Sequence, residues 1–242
     1  MTEPYYQKDG VTIYNGDCLQ ILRELPAASV DAVITDPPYC SGGSLESQKN
    51  TKGQGMLTVK HGAEWFAGDN MSTPGLVFLV RACLVQARRF LKPNRSAMVF
   101  TDWRMVPNIA PAIESCGMRY RNMIVWDKGN PGMGVGFKPT HEILLEFTNG
   151  VTEYQSLKGS NVINSKRVHI SKRKHPCEKP GDLLGKVLSV TVPEDGVVVD
   201  PFMGGGSVLG SCVRFGCQYI GIEIDERYCE AAASRLDQGV LF

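Results

Sequence analysis

The chain has 242 residues and a formal net charge of +1, with 43% hydrophobic and 21% charged residues. This composition predicts one globular domain with a full core. The sequence has no apolar run of the roughly 18 residues that a bilayer span requires, and its polar start, MTEPYYQKDG, lacks the features of a signal peptide. We therefore exclude a membrane-spanning protein and expect a cytoplasmic one.

Predicted strands and helices alternate along the chain. A β-rich run at 11–17 is followed by CLQILRELP, whose leucines have helical spacing, and by a second β-rich run at 29–36. Further strands are predicted at 96–102, 122–129, 141–150, 196–202 and 218–225, and further helices at 76–91, 108–116, 181–192, 207–215 and 226–236. This alternation predicts an α/β domain with a doubly wound, mostly parallel sheet. Segments 40–74 and 150–180 lack clear periodicity, and loops of that length inside a compact domain are usually functional or mobile.

The eight cysteines are scattered through predicted core and loop segments. They form no C-x-x-C pair and no Cys/His cluster at zinc-ligand spacing. We interpret them as reduced thiols and expect no metal site.

Four acidic residues each close a predicted strand: Asp17, Asp36, Asp200 and Glu223. Ligands of open α/β sheets bind beyond the carboxyl ends of the strands. We therefore expect these acids to gather along one rim of the sheet.

The sequence VVVDPFMGGGS places a glycine-rich turn between a strand and a helix. Glycines at such a turn let the backbone approach a ligand closely. Glu223 closes the next strand, 223 − 204 = 19 residues after the first glycine of the turn, Gly204. An acid in that position is placed to accept hydrogen bonds from ribose hydroxyls, so the pattern predicts a nucleoside site.

A dinucleotide is a poorer fit to this turn. The spacing of Gly204, Gly206 and Gly210 misses the G-x-G-x-x-G fingerprint by one residue. Asp200 would also lie close to the pyrophosphate charge, whereas a cationic ligand would favour its carboxylate. An NAD-dependent dehydrogenase would in addition leave the DPPY sequence at 36–39 unexplained.

DPPY follows the predicted strand at 29–36. Two consecutive prolines fix the backbone and remove two N–H donors, so the turn presents carbonyl oxygens and the Asp36 carboxylate without competing donors. Such acceptors suit an amino group with two hydrogens, and Tyr39 adds a flat face on which a heterocycle can stack. The alternative is a simple turn in which Asp36 is a cap and Tyr39 packs.

With these motifs the sequence resembles the β group of amino DNA methyltransferases, which use S-adenosylmethionine (SAM). DPPY at 36–39, HPCEKP at 175–180 and DPFMGGGS at 200–207 occur in the family's order, and YNGDC at 14–18, GIEID at 221–225 and HEILLEF at 141–147 support them. The resemblance implies a Rossmann-like methyltransferase fold with a seven-stranded sheet and circularly permuted motif order, in a protein of bacterial, phage or mobile-element origin. It further implies a site-specific methyltransferase that acts on the N6 amine of a flipped adenine in double-stranded DNA.

The resemblance assigns roles to matching positions. The catalytic loop would contain Asp36, Pro37, Pro38 and Tyr39, with Asp36 and the Pro37 carbonyl holding the amine and Tyr39 stacking on the flipped base. The cofactor pocket would contain Asp17, Cys18, Asp36, Lys179, Asp200, Pro201, Phe202, Gly204, Gly206, Ser207, Glu223 and Ile224. Within that pocket, Glu223 would hold the ribose and Lys179 would contact the carboxylate side of the cofactor. Two departures from the common HPTQKP form are Cys177 and Glu178, and Ser207 replaces the usual Thr but keeps the hydroxyl.

DNA contacts are expected in a basic segment. No acidic residue lies between Tyr154 and Cys177, and this stretch contains the proposed DNA-binding residues Lys166, Arg167, Lys172, Arg173 and Lys174. A solvated loop is the plainer explanation of the same charges. We treat residues 1–242 as one methyltransferase domain, with 41–74 and 129–180 as candidate DNA-clamp and target-recognition insertions. A homodimer would enlarge the contact surface.

Several alternatives remain open from the sequence. DPPY usually accompanies adenine methylation in the family, but cytosine-N4 methylation uses a similar amino group. Related catalytic tetrads also serve RNA bases and protein glutamine side chains. A DNA-binding regulator with a vestigial site belongs to a second, non-enzymatic class.

Overall fold

The computed structural model describes residues 2–38, 71–131, 136–168 and 178–239. Within these ranges one sheet contains nine strands: β1 Tyr6–Lys8, β2 Val11–Asn15, β3 Val30–Thr35, β4 Leu91–Thr101, β5 Arg119–Asp127, β6 His141–Thr148, β7 Val162–Asn164, β8 Val197–Asp200 and β9 Gln218–Glu223. The helices are α1 Cys18–Glu24, α2 Thr73–Phe90, α3 Val106–Glu114, α4 Gly181–Thr191, α5 Ser207–Phe215 and α6 Glu226–Asp237. None of the helices in these ranges is long and apolar enough to cross a membrane.

The strand order across the sheet is β1-β2-β9-β8-β3-β4-β6-β5-β7. Five neighbouring strands, from β2 to β4 in that order, are parallel, and β6 is antiparallel to both β4 and β5. β5 therefore points the same way as the parallel strands, and β7 pairs with it in parallel. The carboxyl ends of β2, β9, β8, β3, β4, β5 and β7 thus lie at one edge, which we call the carboxyl edge.

Helices cover both faces of the sheet, as the alternation predicted. Buried side chains of α1, α2 and α3 form one apolar cluster with the sheet, and those of α4, α5 and α6 form the other. All six residues of β3, in the middle of the sheet, are buried. Such a continuous buried run is typical of a parallel strand that is covered on both sides.

The expectation of seven strands is wrong, because two short strands extend the sheet to nine. The seven predicted strands occupy its middle, while β1 and β7 form its edges. Each edge strand has only three residues, which is too short to show an alternating pattern.

The proposed insertions also need correction. The segment 129–180 contains β6, which pairs with β4 and β5 inside the sheet and is therefore part of the core. The segment 41–74 reaches into α2, which begins at Thr73 after a cap in which Ser72 Oγ accepts a hydrogen bond from Gly75 N. Residues 39–70, 132–135 and 169–177 lie outside the described residues, so the rest of both proposals stays a prediction.

Asp31 joins three strands at the opposite edge of the sheet. Its side chain is 3% exposed, and Oδ2 accepts hydrogen bonds from Lys92 Nζ at 2.7 Å and from Val197 N at 3.0 Å. Arg95 Nε lies 3.5 Å from Oδ1. This carboxylate therefore fixes β3 against β4 and β8.

We expect Asp31→Ala to lower the free energy of unfolding by about 3 kcal/mol, because it removes a buried acceptor that Lys92, Arg95 and the Val197 backbone share. Denaturant unfolding measures this loss. The matched control is Asp237→Ala, which removes an ion pair with Lys8 whose side chains are 52% and 56% exposed. The control should cost about 0.5 kcal/mol or less. Equal losses in the two variants would contradict the proposed role of Asp31.

Candidate functional site at the carboxyl edge

Two loops emerge side by side at the carboxyl edge. The proline loop (residues 36–38) follows β3, and the glycine turn (residues 201–206) follows β8, which pairs with β3 in parallel. Thr35 Oγ1, in the last residue of β3, donates a hydrogen bond of 2.8 Å to Asp200 Oδ1, in the last residue of β8. The structure therefore brings together two motifs that lie far apart in the sequence.

Asp200 fixes the start of the glycine turn. Besides the bond from Thr35, its carboxylate accepts hydrogen bonds from Phe202 N at 3.1 Å and from the Tyr219 hydroxyl at 3.3 Å. Burial raises the pKa of Asp200 to about 7, and the nearby charge of Asp36 acts in the same direction. The side chain is 1% exposed, so its contribution to a ligand site is to shape the turn.

The glycine turn needs residues without a side chain at two positions. Gly204 has φ = 49° and Gly206 has φ = 79°, which is the left-handed region that favours glycine. Gly204 N donates a hydrogen bond of 2.8 Å to Glu223 Oε2, and Gly206 caps α5, which begins at Ser207. The acid predicted to lie near the turn is therefore in direct contact with it.

Glu223 lies at the end of β9 and is partly buried. Its Oε1 accepts a hydrogen bond of 2.8 Å from Asp225 N. Burial raises the pKa of Glu223, although the backbone donors at Asp225 and Gly204 oppose that shift. Each carboxylate oxygen has capacity for a further hydrogen bond, so a hydroxyl donor from a ligand fits here. The next residue, Ile224, is 61% exposed and offers an apolar surface beside the acid.

The YNGDC segment contributes structure as well as candidate contacts. Asp17 caps α1, because its Oδ1 accepts a hydrogen bond of 2.8 Å from Leu19 N. The Cys18 thiol is buried and lies 3.7 Å from the Cys83 sulfur, so only the backbone of Cys18 remains as a candidate cofactor contact. Asn15, which the sequence argument missed, donates from Nδ2 to the carbonyl oxygens of Glu223 at 3.1 Å and Ile224 at 3.2 Å.

Lys179 connects the proline loop to the start of α5, which follows the glycine turn. Its backbone N donates a hydrogen bond of 3.1 Å to Ser207 Oγ, at the start of α5. Its ammonium forms an ion pair and hydrogen bond with Asp36 Oδ2 and lies 3.4 Å from Glu142 Oε2. The structure therefore directs the Lys179 side chain to the predicted catalytic acid, whereas the resemblance implied a contact with the cofactor carboxylate.

Two further charged residues complete this part of the edge. Glu142, in β6, also accepts a hydrogen bond of 3.1 Å from Lys128 Nζ. Burial raises the pKa of Glu142, but the positive charges of Lys179 and Lys128 outweigh it and the pKa is lowered. Burial lowers the pKa of Lys128, the charge of Glu142 opposes this, and the charges of Arg167 and Lys179 add to the lowering. The only signal of Glu142 in the sequence was its place in HEILLEF.

The predicted DNA contacts are described only in part. Lys166 and Arg167 are exposed and follow β7 at the carboxyl edge, where the charge of Arg167 acts on Lys128. Lys172, Arg173 and Lys174 lie outside the described residues, as does the catalytic-loop residue Tyr39. In the proline loop, Pro37 is buried and Pro38 is partly buried.

A separate cavity of about 780 Å³ lies between the sheet, α4 and the segment from Tyr154 to Asn164. Its lining includes Arg121 and the buried Glu146, and none of the predicted site residues that the structure describes. The Glu146 carboxylate accepts hydrogen bonds from the Ser96 hydroxyl at 2.9 Å and the Tyr154 hydroxyl at 3.0 Å. This cavity is therefore separate from the predicted site residues described at the carboxyl edge.

Comparisons with known proteins agree with the motif pattern. The family model N6_N4_Mtase, described as DNA methylase, matches residues 30–234. The chain is 27% identical over 266 residues to Type II methyltransferase M2.LlaDCHI from Lactococcus lactis subsp. cremoris, and the match covers 100% of this chain and 95% of that protein.

Solved structures share the fold. The M1.HpyAVI–SAM complex has a TM-score of 0.67 at 22% identity, over 93% of this chain and 99% of that chain. The PvuII DNA methyltransferase, named as cytosine-N4-specific, has a TM-score of 0.74 at 17% identity, over 97% of this chain and 89% of that chain. The Rossmann-like methyltransferase fold expected from the sequence is confirmed.

The raised pKa of Asp200 predicts a pH dependence of stability. Its folded-state value of about 7 exceeds the ordinary value of 3.8, so the stabilising contribution is complete below the ordinary value and is lost as the pH rises through about 7. We expect wild type to lose about 2 kcal/mol of unfolding free energy relative to Asp200→Asn between about pH 5 and about pH 8. Denaturant unfolding of both proteins at both pH values checks this. A difference that does not change with pH would contradict it.

Proposed function

The chain belongs to the N6_N4_Mtase family of DNA methylases, and from this premise we propose that it transfers a methyl group from SAM to the N6 amine of adenine in double-stranded DNA. The observation that carries the proposal is that the proline loop and the glycine turn begin next to each other at the carboxyl edge. Thr35 bonds to Asp200 across β3 and β8, and Lys179 bonds to both Asp36 and Ser207. An acceptor for an amine and a turn for a nucleoside cofactor therefore share one edge of the sheet.

The residues around the glycine turn fit SAM. The backbone at Gly204 and Gly206 permits a close approach, Glu223 has acceptor capacity for ribose hydroxyls, and the exposed Ile224 offers an apolar face for the adenine ring of the cofactor. When bound, SAM supplies a methyl group on a positively charged sulfur. The acidic residues of the carboxyl edge suit that charge.

The proline loop supplies the acceptors for the target amine. An exocyclic amine conjugated to a purine ring is a poor nucleophile. Asp36 and the Pro37 carbonyl would accept both of its hydrogens, favour movement of the nitrogen toward sp³ geometry and orient its lone pair. A base inside a duplex must first be flipped out, at a cost of a few kcal/mol that pocket contacts offset. Tyr39 would stack on the flipped base.

The choice of adenine rests on the resemblance of DPPY to adenine-specific members. The fold alone does not select the base, because a structural neighbour named as cytosine-N4-specific shares it. We therefore propose adenine as the substrate and keep cytosine N4 as the alternative.

The exposed Lys166 and Arg167 would contact DNA phosphates, and a homodimer stays a prediction.

The direct test is nucleoside mass spectrometry of unmethylated DNA after incubation with the protein and SAM. We expect N6-methyl-2′-deoxyadenosine and no N4-methyl-2′-deoxycytidine. Asp36→Asn should lower the rate of methyl transfer at least about 100-fold, because it removes a charged acceptor of the amine. Its cofactor Kd, from calorimetry, should stay within about threefold of wild type.

The matched control for this prediction is Glu223→Gln. It should weaken cofactor binding about tenfold, since it removes a charged acceptor at the glycine turn. If the mass spectrum instead shows cytosine methylated at N4, the protein is a cytosine-N4-specific methyltransferase. Normal turnover of Asp36→Asn would refute the catalytic assignment.

Charge reversal tests the proposed DNA contacts. Lys166→Glu with Arg167→Glu should weaken DNA binding and reduce the slope of log Kd against log salt by about one to two units, since fewer counterions are released. The control Arg119→Glu changes an exposed cation at the first residue of β5, on the opposite edge of the sheet, and should leave the slope unchanged. Equal salt slopes for wild type and the double variant would exclude this surface.

A further inference from the structure

We propose that Glu142 is a positioning residue for methyl transfer, which holds the Lys179 ammonium against Asp36 with the help of Lys128. The inference rests on the proposed function, because it assumes that Asp36 receives the target amine. None of the family motifs that assign catalytic roles includes Glu142 or Lys128. The structure connects both of them to the proline loop through Lys179.

Four charges alternate in sign along the carboxyl edge. Asp36 contacts Lys179, Lys179 lies 3.4 Å from Glu142 Oε2, and Glu142 Oε1 accepts a hydrogen bond of 3.1 Å from Lys128. The formal charges of the four side chains sum to zero. They come from the loop after β3, the segment before α4, strand β6 and the residue after β5. The row of charges therefore joins four separate parts of the fold at the proposed catalytic loop.

Burial makes this arrangement sensitive to the loss of one member. The side chains of Lys179 and Lys128 are 4% and 7% exposed, and those of Asp36 and Glu142 are 20% and 23% exposed. A buried ammonium is costly unless carboxylates are close to it, and Lys179 has one on each side. Glu142 is also the only carboxylate that an ion pair connects to both lysines among the described residues.

Removal of the Glu142 charge would leave two neighbouring ammonium groups with Asp36 as the remaining carboxylate of the row. Lys179 would then lose one of its two carboxylate partners, and the uncompensated charge of Lys128 would repel its ammonium. Both effects disturb the orientation of the Asp36 carboxylate toward the amine. A small displacement of a catalytic group is enough to slow a reaction strongly.

An aromatic contact restricts the position of the ammonium further. Lys179 Nζ lies 5.0 Å from the centroid of the Phe100 ring, and Lys128 Nζ lies 5.6 Å from that of Trp126. Such distances are within the range of cation–π attraction. With Glu142 in place, each lysine therefore has both a carboxylate and a ring to fix its direction.

The first test compares Glu142→Gln with Glu146→Gln by single-turnover kinetics on DNA, with cofactor Kd and Tm measured for each variant. Glu146 is the matched control, because it is a buried carboxylate of the same strand that bonds to Ser96 and Tyr154 and not to the lysines. We expect Glu142→Gln to lower the rate of methyl transfer at least about tenfold, with cofactor Kd changed less than about threefold. Glu146→Gln should keep the wild-type rate. Equal rates in wild type and Glu142→Gln would overturn the inference.

The second test asks whether Glu142 acts through Lys179. In a Lys179→Met background, Glu142→Gln should change the rate by less than about twofold, because the group that it positions is absent. A further tenfold loss in that background would show an independent role and overturn the inference. Wild type serves as the reference for the proposed function itself. If wild type does not methylate adenine in DNA, the proposed function is wrong. If wild type is active and Glu142→Gln is equally active, only the positioning role of Glu142 is wrong.

Discussion

The hydrogen bond between Thr35 and Asp200 is the constraint on which the rest of the site depends. It joins the last residues of two neighbouring strands, so the loops that follow them begin from fixed positions at one edge. Because Asp200 is buried, its carboxylate is committed to Thr35, Phe202 and Tyr219, and an error in strand register would leave these polar groups unsatisfied. The proximity of the two motifs thus follows from the register of the sheet.

The acids of the carboxyl edge divide into two kinds. Asp200 and Asp17 serve the fold, the first inside the sheet and the second as the cap of α1. Asp36 and Glu223 are only partly buried, and each accepts a hydrogen bond from a protein donor. The four acids that close predicted strands are therefore not equivalent as candidate ligands.

Long elements of the fold were predictable from the sequence because their patterns extend over several turns or a whole strand. The three-residue strands β1 and β7 were not, since so few residues show no period. Motif order located the proline loop and the glycine turn, but it carries no information on side-chain direction. For that reason the contact between Lys179 and Asp36 was missed. Glu142 has a weak signal, a charged residue near the start of a largely buried strand, and only the tertiary structure shows its two lysine partners.

The central claim is that the acceptors of the proline loop face a cofactor bound at the glycine turn. A crystal structure of the protein with S-adenosylhomocysteine and a DNA duplex measures this directly. The account predicts that Glu223 lies about 3 Å from the ribose hydroxyls and that the sulfur faces an adenine amine held by Asp36. A cofactor bound away from the glycine turn, for example in the cavity beside Glu146, would contradict it, as would Asp36 oxygens that point away from the sulfur.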